Sequence, residues 1–73
     1  MIIIKKDQTL YDVVSSHPDV TNIMLELGFE DIIKPGMLNT MGRFMTIEKG
    51  ANAKHIEWET INKAFKDNGY IIE

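Results

Sequence analysis

The chain has no cysteine, two prolines, two histidines, one tryptophan and a single arginine, Arg43, among its 73 residues. Each scarcity excludes something. Without thiols there is neither a disulfide framework nor a thiolate metal site. A secreted domain of this size ordinarily needs such staples, so the composition points to a reducing, cytoplasmic setting. His17 and His55 lie far apart and belong to no HExxH-like or otherwise ligand-spaced cluster, so no metal and no cofactor is expected. Long apolar runs are also missing. Met1 to Ile4 is apolar for four residues before Lys5 and Lys6, too short for a signal-peptide core or for a membrane span of about 20 residues. The net charge of −3, with no basic stripe, argues against a nucleic-acid partner.

A chain this short makes one domain over residues 1–73. Burial of its apolar surface yields on the order of 110 kcal/mol, and ordering its backbone and side chains costs about the same. Folding therefore requires most of the large apolar residues to go inside.

The pattern of those residues is helical. Ile2, Ile3 and Ile4 suit one short strand. Thr9 offers an N-cap hydroxyl with Asp12 in the first turn, and Leu10, Val13 and Val14 follow at helical spacing. His17 precedes Pro18 and ends that helix. Pro18 and Asp19 open a second, whose apolar stripe is Val20, Ile23, Met24 and Leu27. Gly28 suits the position after its end, with Phe29 placed to fold back on Met24.

Lys34-Pro35-Gly36 reads as a turn, followed by a short helix over residues 37–44. Thr46 caps a further helix carrying Ile47, Ala51 and Ala53, which Gly50 weakens by about 1 kcal/mol relative to alanine. A final helix over 57–68 carries Trp58, Ile61, Ala64 and Phe65, and ends at Gly69 with Tyr70 placed to pack on Phe65. Ile71 and Ile72 are candidates to pair with Ile2 to Ile4. The expected fold is all-α: a bundle of about five short helices, with at most a two-stranded ribbon joining the terminal segments.

No constellation meets the first requirement of catalysis, a nucleophile with its base, a carboxylate pair or a metal. Glu30-Asp31 reads as a solvated acidic turn. The methionines of the middle segment have two readings: core filler for a small domain, or an adaptable binding surface. Core placement is the stronger expectation, because large apolar residues are scarce. Arg43 likewise has two. It fixes carbonyls at a helix end, or it joins Lys34, Lys49 and the amides near Gly36 and Gly42 in an anion site.

The order Thr9-Leu10, His17-Pro18, Leu25-Glu26-Leu27-Gly28-Phe29 and a late helix ending at Gly69 resembles the family called domain of unknown function 1858. The stretch Lys34 to Thr40 through Gly42 to Thr46 is similar to one branch of it. The resemblance implies a helical fold of about five short helices, found alone or fused to bacterial hemerythrin-like and sensory domains. Another branch carries paired cysteines after the Leu-Gly-Phe motif and is described as a disulfide-redox domain. Here Glu30 to Lys34 stand in that place, and no thiol exchange carries over.

The expected function is a non-enzymatic interaction or signalling accessory module. It would bind a protein partner or itself through Lys34, Met37, Met41, Arg43 and Phe44. The alternative is a small-anion or metabolite sensor built on Arg43.

Overall fold

In the computed structural model, which describes all of residues 1–73, the chain runs β1 (Ile2–Ile4), α1 (Leu10–Ser16), α2 (Val20–Glu26), α3 (Pro35–Asn39), a 3₁₀ turn (Met41–Arg43), α4 (Ile47–Ala53), α5 (Trp58–Asp67) and β2 (Tyr70–Ile72). Two threonines start two of these helices. Thr9 Oγ1 accepts the Asp12 amide and Thr46 Oγ1 accepts the Lys49 amide, each at 3.1 Å. Each bond satisfies an amide that the first helical turn leaves free. The two caps also lie side by side, through an antiparallel bridge between Thr9 and Thr46 and a 2.8 Å bond from Leu10 N–H to Met45 O. The start of α1 is thereby clamped to the start of α4.

The helix ends are as definite. Gly28, at φ 96°, donates to Leu25 O at 3.0 Å, and Phe29 donates to Met24 O at 2.9 Å. This is the paired bonding of a Schellman ending. The end of α4 repeats it with a histidine in the glycine position. His55 sits at φ 57°, donates to Asn52 O, and is followed by Ile56 donating to Ala51 O. At the end of α5, Gly69 takes φ 88° and the Tyr70 ring meets Phe65 edge-on, with centroids 6.2 Å apart.

These endings aim the apolar faces at one core. It is built from Leu10 and Val13 of α1, Val20, Ile23 and Met24 of α2, Ile47 and Ala51 of α4, Ile61 and Phe65 of α5, and Ile4, Phe29 and Tyr70. At about 25 cal/mol/Å² the large members contribute roughly 1.5–3 kcal/mol each. Trp58 and Ala64 pack against the core while partly exposed.

The expected five short helices and the ribbon between the terminal segments are both present, but the fold is not purely all-α, because the ribbon is a true parallel pair of strands, with Ile2 opposite Tyr70, Ile3 opposite Ile71 and Ile4 opposite Ile72. The sheet survives with two strands because Ile4 and Tyr70 are buried in the helical core. The Tyr70 hydroxyl also donates to Asp19 Oδ1 at 2.8 Å, tying β2 to the start of α2.

The middle segment is not one helix over 37–44 either. Pro35 and Gly36 open α3 instead of making a turn, with proline at the first helical position, where its missing N–H costs nothing. The helix then stops at Thr40, whose hydroxyl bonds Gly36 O at 2.9 Å and Met37 O at 3.3 Å. That side chain competes for carbonyls inside the helix, and the chain tightens into the 3₁₀ turn.

Candidate functional site

The helix α3 buries none of its residues. Met37, Met41 and Phe44 are exposed by 40%, 46% and 75%, whereas Met24 in α2 is fully buried. The stronger expectation, that the central methionines fill the core, is therefore overturned for Met37 and Met41. The break at Thr40 turns their segment away from the interior. Met45 alone of the three is half-buried and packs against the core.

Between this segment and α4 lies a cleft of about 160 Å³, lined by Phe29, Ile32, Met37, Met41, Met45 and Gly50, with Asp31 and Lys54 at its polar side. Phe29 is buried and forms its floor. A Cβ on Gly50 would lie 2.9 Å from Phe29 Cε1, so the glycine lets that ring settle against α4. Lys54 Nζ donates to Gly28 O at 3.1 Å, which holds the ammonium beside the ending of α2. Asp31 pairs with Lys34 at 3.6 Å, both side chains well exposed. That pairing fixes little energy, on the scale of at most about 1 kcal/mol.

Arg43 takes the structural option. Its Nε donates to Asn39 O, the last residue of α3, at 2.8 Å, and its guanidinium lies 4.1 Å from the centroid of the Tyr11 ring. One side chain thus closes the end of α3 and fastens the 3₁₀ turn to α1 by a cation–π contact. Arg43 lines none of the three clefts on the molecule, and neither Lys34 nor Lys49 lines one with it.

Of the residues singled out from sequence, Met37 and Met41 meet at the cleft. Phe44 follows on the same segment, the exposed Arg43 ties that segment to Asn39 O and the Tyr11 ring, and Lys34 pairs with Asp31, which lines the cleft. Phe29, Ile32, Gly50 and Lys54 were not among the site residues read from sequence, where Phe29 and Gly50 figured only in helix structure. A glycine inside a predicted helix is the one signal that could have marked the close approach of Phe29. Lys54 gave none.

The histidines do not converge on this site. His17 is half-buried with its ring edge-on to Tyr70, centroids 5.5 Å apart, and His55 is exposed. No three metal-ligating side chains come together anywhere on the chain. The one clearly displaced acid is Tyr70. Burial pushes its hydroxyl above the ordinary 10.0, and the bond to the Asp19 carboxylate and that group's charge push it further. Its role is to hold β2 to α2, remote from the methionines in sequence and in function.

The pattern of the family described as Domain of unknown function (DUF1858) matches residues 4–61. The chain belongs to that family. The DUF1858 match runs from the last residue of β1 through the first turn of α5 and so takes in the whole methionine segment and the cleft. A solved structure, the crystal structure of the conserved domain protein from Streptococcus pneumoniae TIGR4, is similar to this DUF1858 chain at 32% identity. Its TM-score is 0.92, over 100% of this chain and 92% of that one. No curated protein matches. No helix of the chain is long and apolar enough to cross a membrane.

Proposed function

We propose that this domain is a non-enzymatic interaction module that docks another protein on the face made by α3 and the 3₁₀ turn. One observation carries the reading. Met37, Met41 and Phe44 are exposed together on one segment, and two of them open onto an apolar cleft. A domain with so small a reserve of apolar side chains gains stability by burying them, yet it leaves these three in water. Contiguous exposed apolar surface marks contact sites, and methionine, flexible and polarisable, adapts to the shape of a partner. Arg43 acts as a brace for this face through Asn39 and Tyr11. The anion-sensor reading finds no such support. A cysteine-free composition suits a reducing compartment, and the module is proposed to act in the cytoplasm.

The test uses Phe44→Asp, at a position exposed enough that stability should stay within about 0.5 kcal/mol of wild type. A partner captured by wild type is identified, purified and titrated against both forms. Loss of binding by at least about tenfold in the variant supports the reading, since hot-spot aromatics carry this much. Equal binding of the two forms removes it.

A further inference from the structure

We infer that the occupant of this face is an acidic amphipathic helix of another protein, with one apolar side chain in the methionine-lined cleft and carboxylates turned toward Arg43 and Lys54. The inference rests on the interaction-module reading and adds the chemistry of the partner.

Three observations lead to it. The first is size. A cleft of about 160 Å³ takes one large aliphatic or aromatic side chain, as an apolar cavity of about 150 Å³ takes benzene. The second is shape. Met37 on α3, Met41 in the 3₁₀ turn and Phe44 just after it are exposed along one short segment, and the first two line the cleft. An apolar cleft with exposed apolar residues beside it receives the apolar face of an amphipathic helix. A bound strand would need a free backbone edge, whereas this segment's amides at Leu38, Thr40, Arg43, Phe44 and Met45 are bonded internally.

The third is charge. Acids outnumber bases 11 to 8 in the chain, yet between Ile32 and Ile47 the charged side chains are Lys34 and Arg43 alone. Lys34 is matched by Asp31 at 3.6 Å. Neither Arg43 nor Lys54 forms an ion pair, since the remaining pairs are Lys6–Glu48 and Lys63–Asp67. Beside the exposed methionines, Arg43 and Lys54 are thus cations without an ion-pair partner on an acidic protein. A second copy docked symmetrically through the same face would set these cations against themselves. Carboxylates flanking an apolar stripe answer both features.

The probe is a fluorescein-labelled, helix-stapled peptide with leucine and phenylalanine at i, i+3, i+4 and i+7 and glutamates on either side. Its controls are a lysine-flanked twin and a scrambled glutamate peptide, all titrated by anisotropy into the full chain. Methionine's adaptability makes a generic sequence a fair probe. The glutamate peptide should bind saturably and at least about tenfold tighter than the lysine twin. Its affinity should fall several-fold between roughly 50 and 500 mM salt, as screening shortens. Lys54→Glu should weaken it about fivefold, and the milder Lys54→Gln by less.

Absence of saturable binding, equal binding of the lysine twin or the scrambled peptide, or indifference to both Lys54 variants would overturn the inference. A dimer in sedimentation that Phe44→Asp dissolves would overturn it too, by assigning the face to a second copy. If the probe fails while a natural partner still depends on Phe44, the interaction module stands and only its acidic-helix occupant falls.

Discussion

Two regions of this domain use the same kind of residue in opposite ways. In α2, Met24 is sealed between Phe29 and the other helices, and the helix around it ends in a fully bonded Schellman motif. In α3 and the 3₁₀ turn, Met37 and Met41 are exposed, and α3 has no fully buried residue, only Leu38 packing half-buried against the core. The difference lies in how each segment is terminated. Gly28 reverses the chain so that Phe29 returns to the core, and the α2 stripe has a partner face. Thr40 breaks α3 after five residues, and the segment is held by the half-buried Leu38 and Met45 together with polar and cation–π ties from Arg43. One region is stabilised by burial, the other is braced and left open. Binding surfaces are drawn from regions of the second kind.

The comparison can be broken most directly by truncating one aromatic in each region. Phe65→Ala should cost about 3–5 kcal/mol, enough to unfold much of a domain this small. Phe44→Ala should change stability by less than about 0.5 kcal/mol. Urea titrations followed by circular dichroism read both, and a large loss at Phe44 would mean that its face is structural.

Gly50→Ala tests the contact that joins the regions. Its Cβ would press on Phe29 at 2.9 Å, and the strain, about 1–3 kcal/mol for overpacking, should exceed the gain in helix propensity of about 1 kcal/mol. Net destabilisation with perturbed methyl resonances of Met41 and Met45 is expected. A stabilised protein would show that Phe29 yields freely.

Tyr70 sharpens the account of the core side. Its hydroxyl is held above 10.0 in the folded state, so the protonated form is favoured by folding. The associated stability is complete below pH 10 and is lost as pH rises through the raised value. Tyr70→Phe should lose about 1 kcal/mol at neutral pH with the Asp19 bond. Its stability should then fall less steeply than wild type in the alkaline range. Parallel alkaline profiles of the two proteins would separate Tyr70 from that loss.

The smallest effect is at His55. Relief of a left-handed residue by His55→Gly should stabilise by about 0.5–1 kcal/mol in thermal unfolding. A loss would mean that the imidazole makes contacts worth more than the strain.

Much of the core was legible before any coordinates. The threonine caps, the glycine endings at 28 and 69, the stripe Val20, Ile23 and Met24, and Tyr70 on Phe65 all follow from local rules, because each joins residues a few positions apart. The site was legible only as a list. Met37, Met41, Arg43 and Phe44 stood out by composition, but the spacing of apolar residues is the same whether they face a core or a partner. Periodicity carries no sign for in or out.

The sequence by itself determined where most helices begin and end and which faces are apolar, since caps, stripes and glycine endings act over one or two turns. Only the tertiary structure decided that β1 and β2 run parallel, that Asp19 receives the Tyr70 hydroxyl, that Gly50 makes room for Phe29, and that Met37 and Met41 look outward. Those outcomes depend on residues distant in the chain competing for one small core. Thirteen apolar side chains fill it, and those left without a place there form the surface.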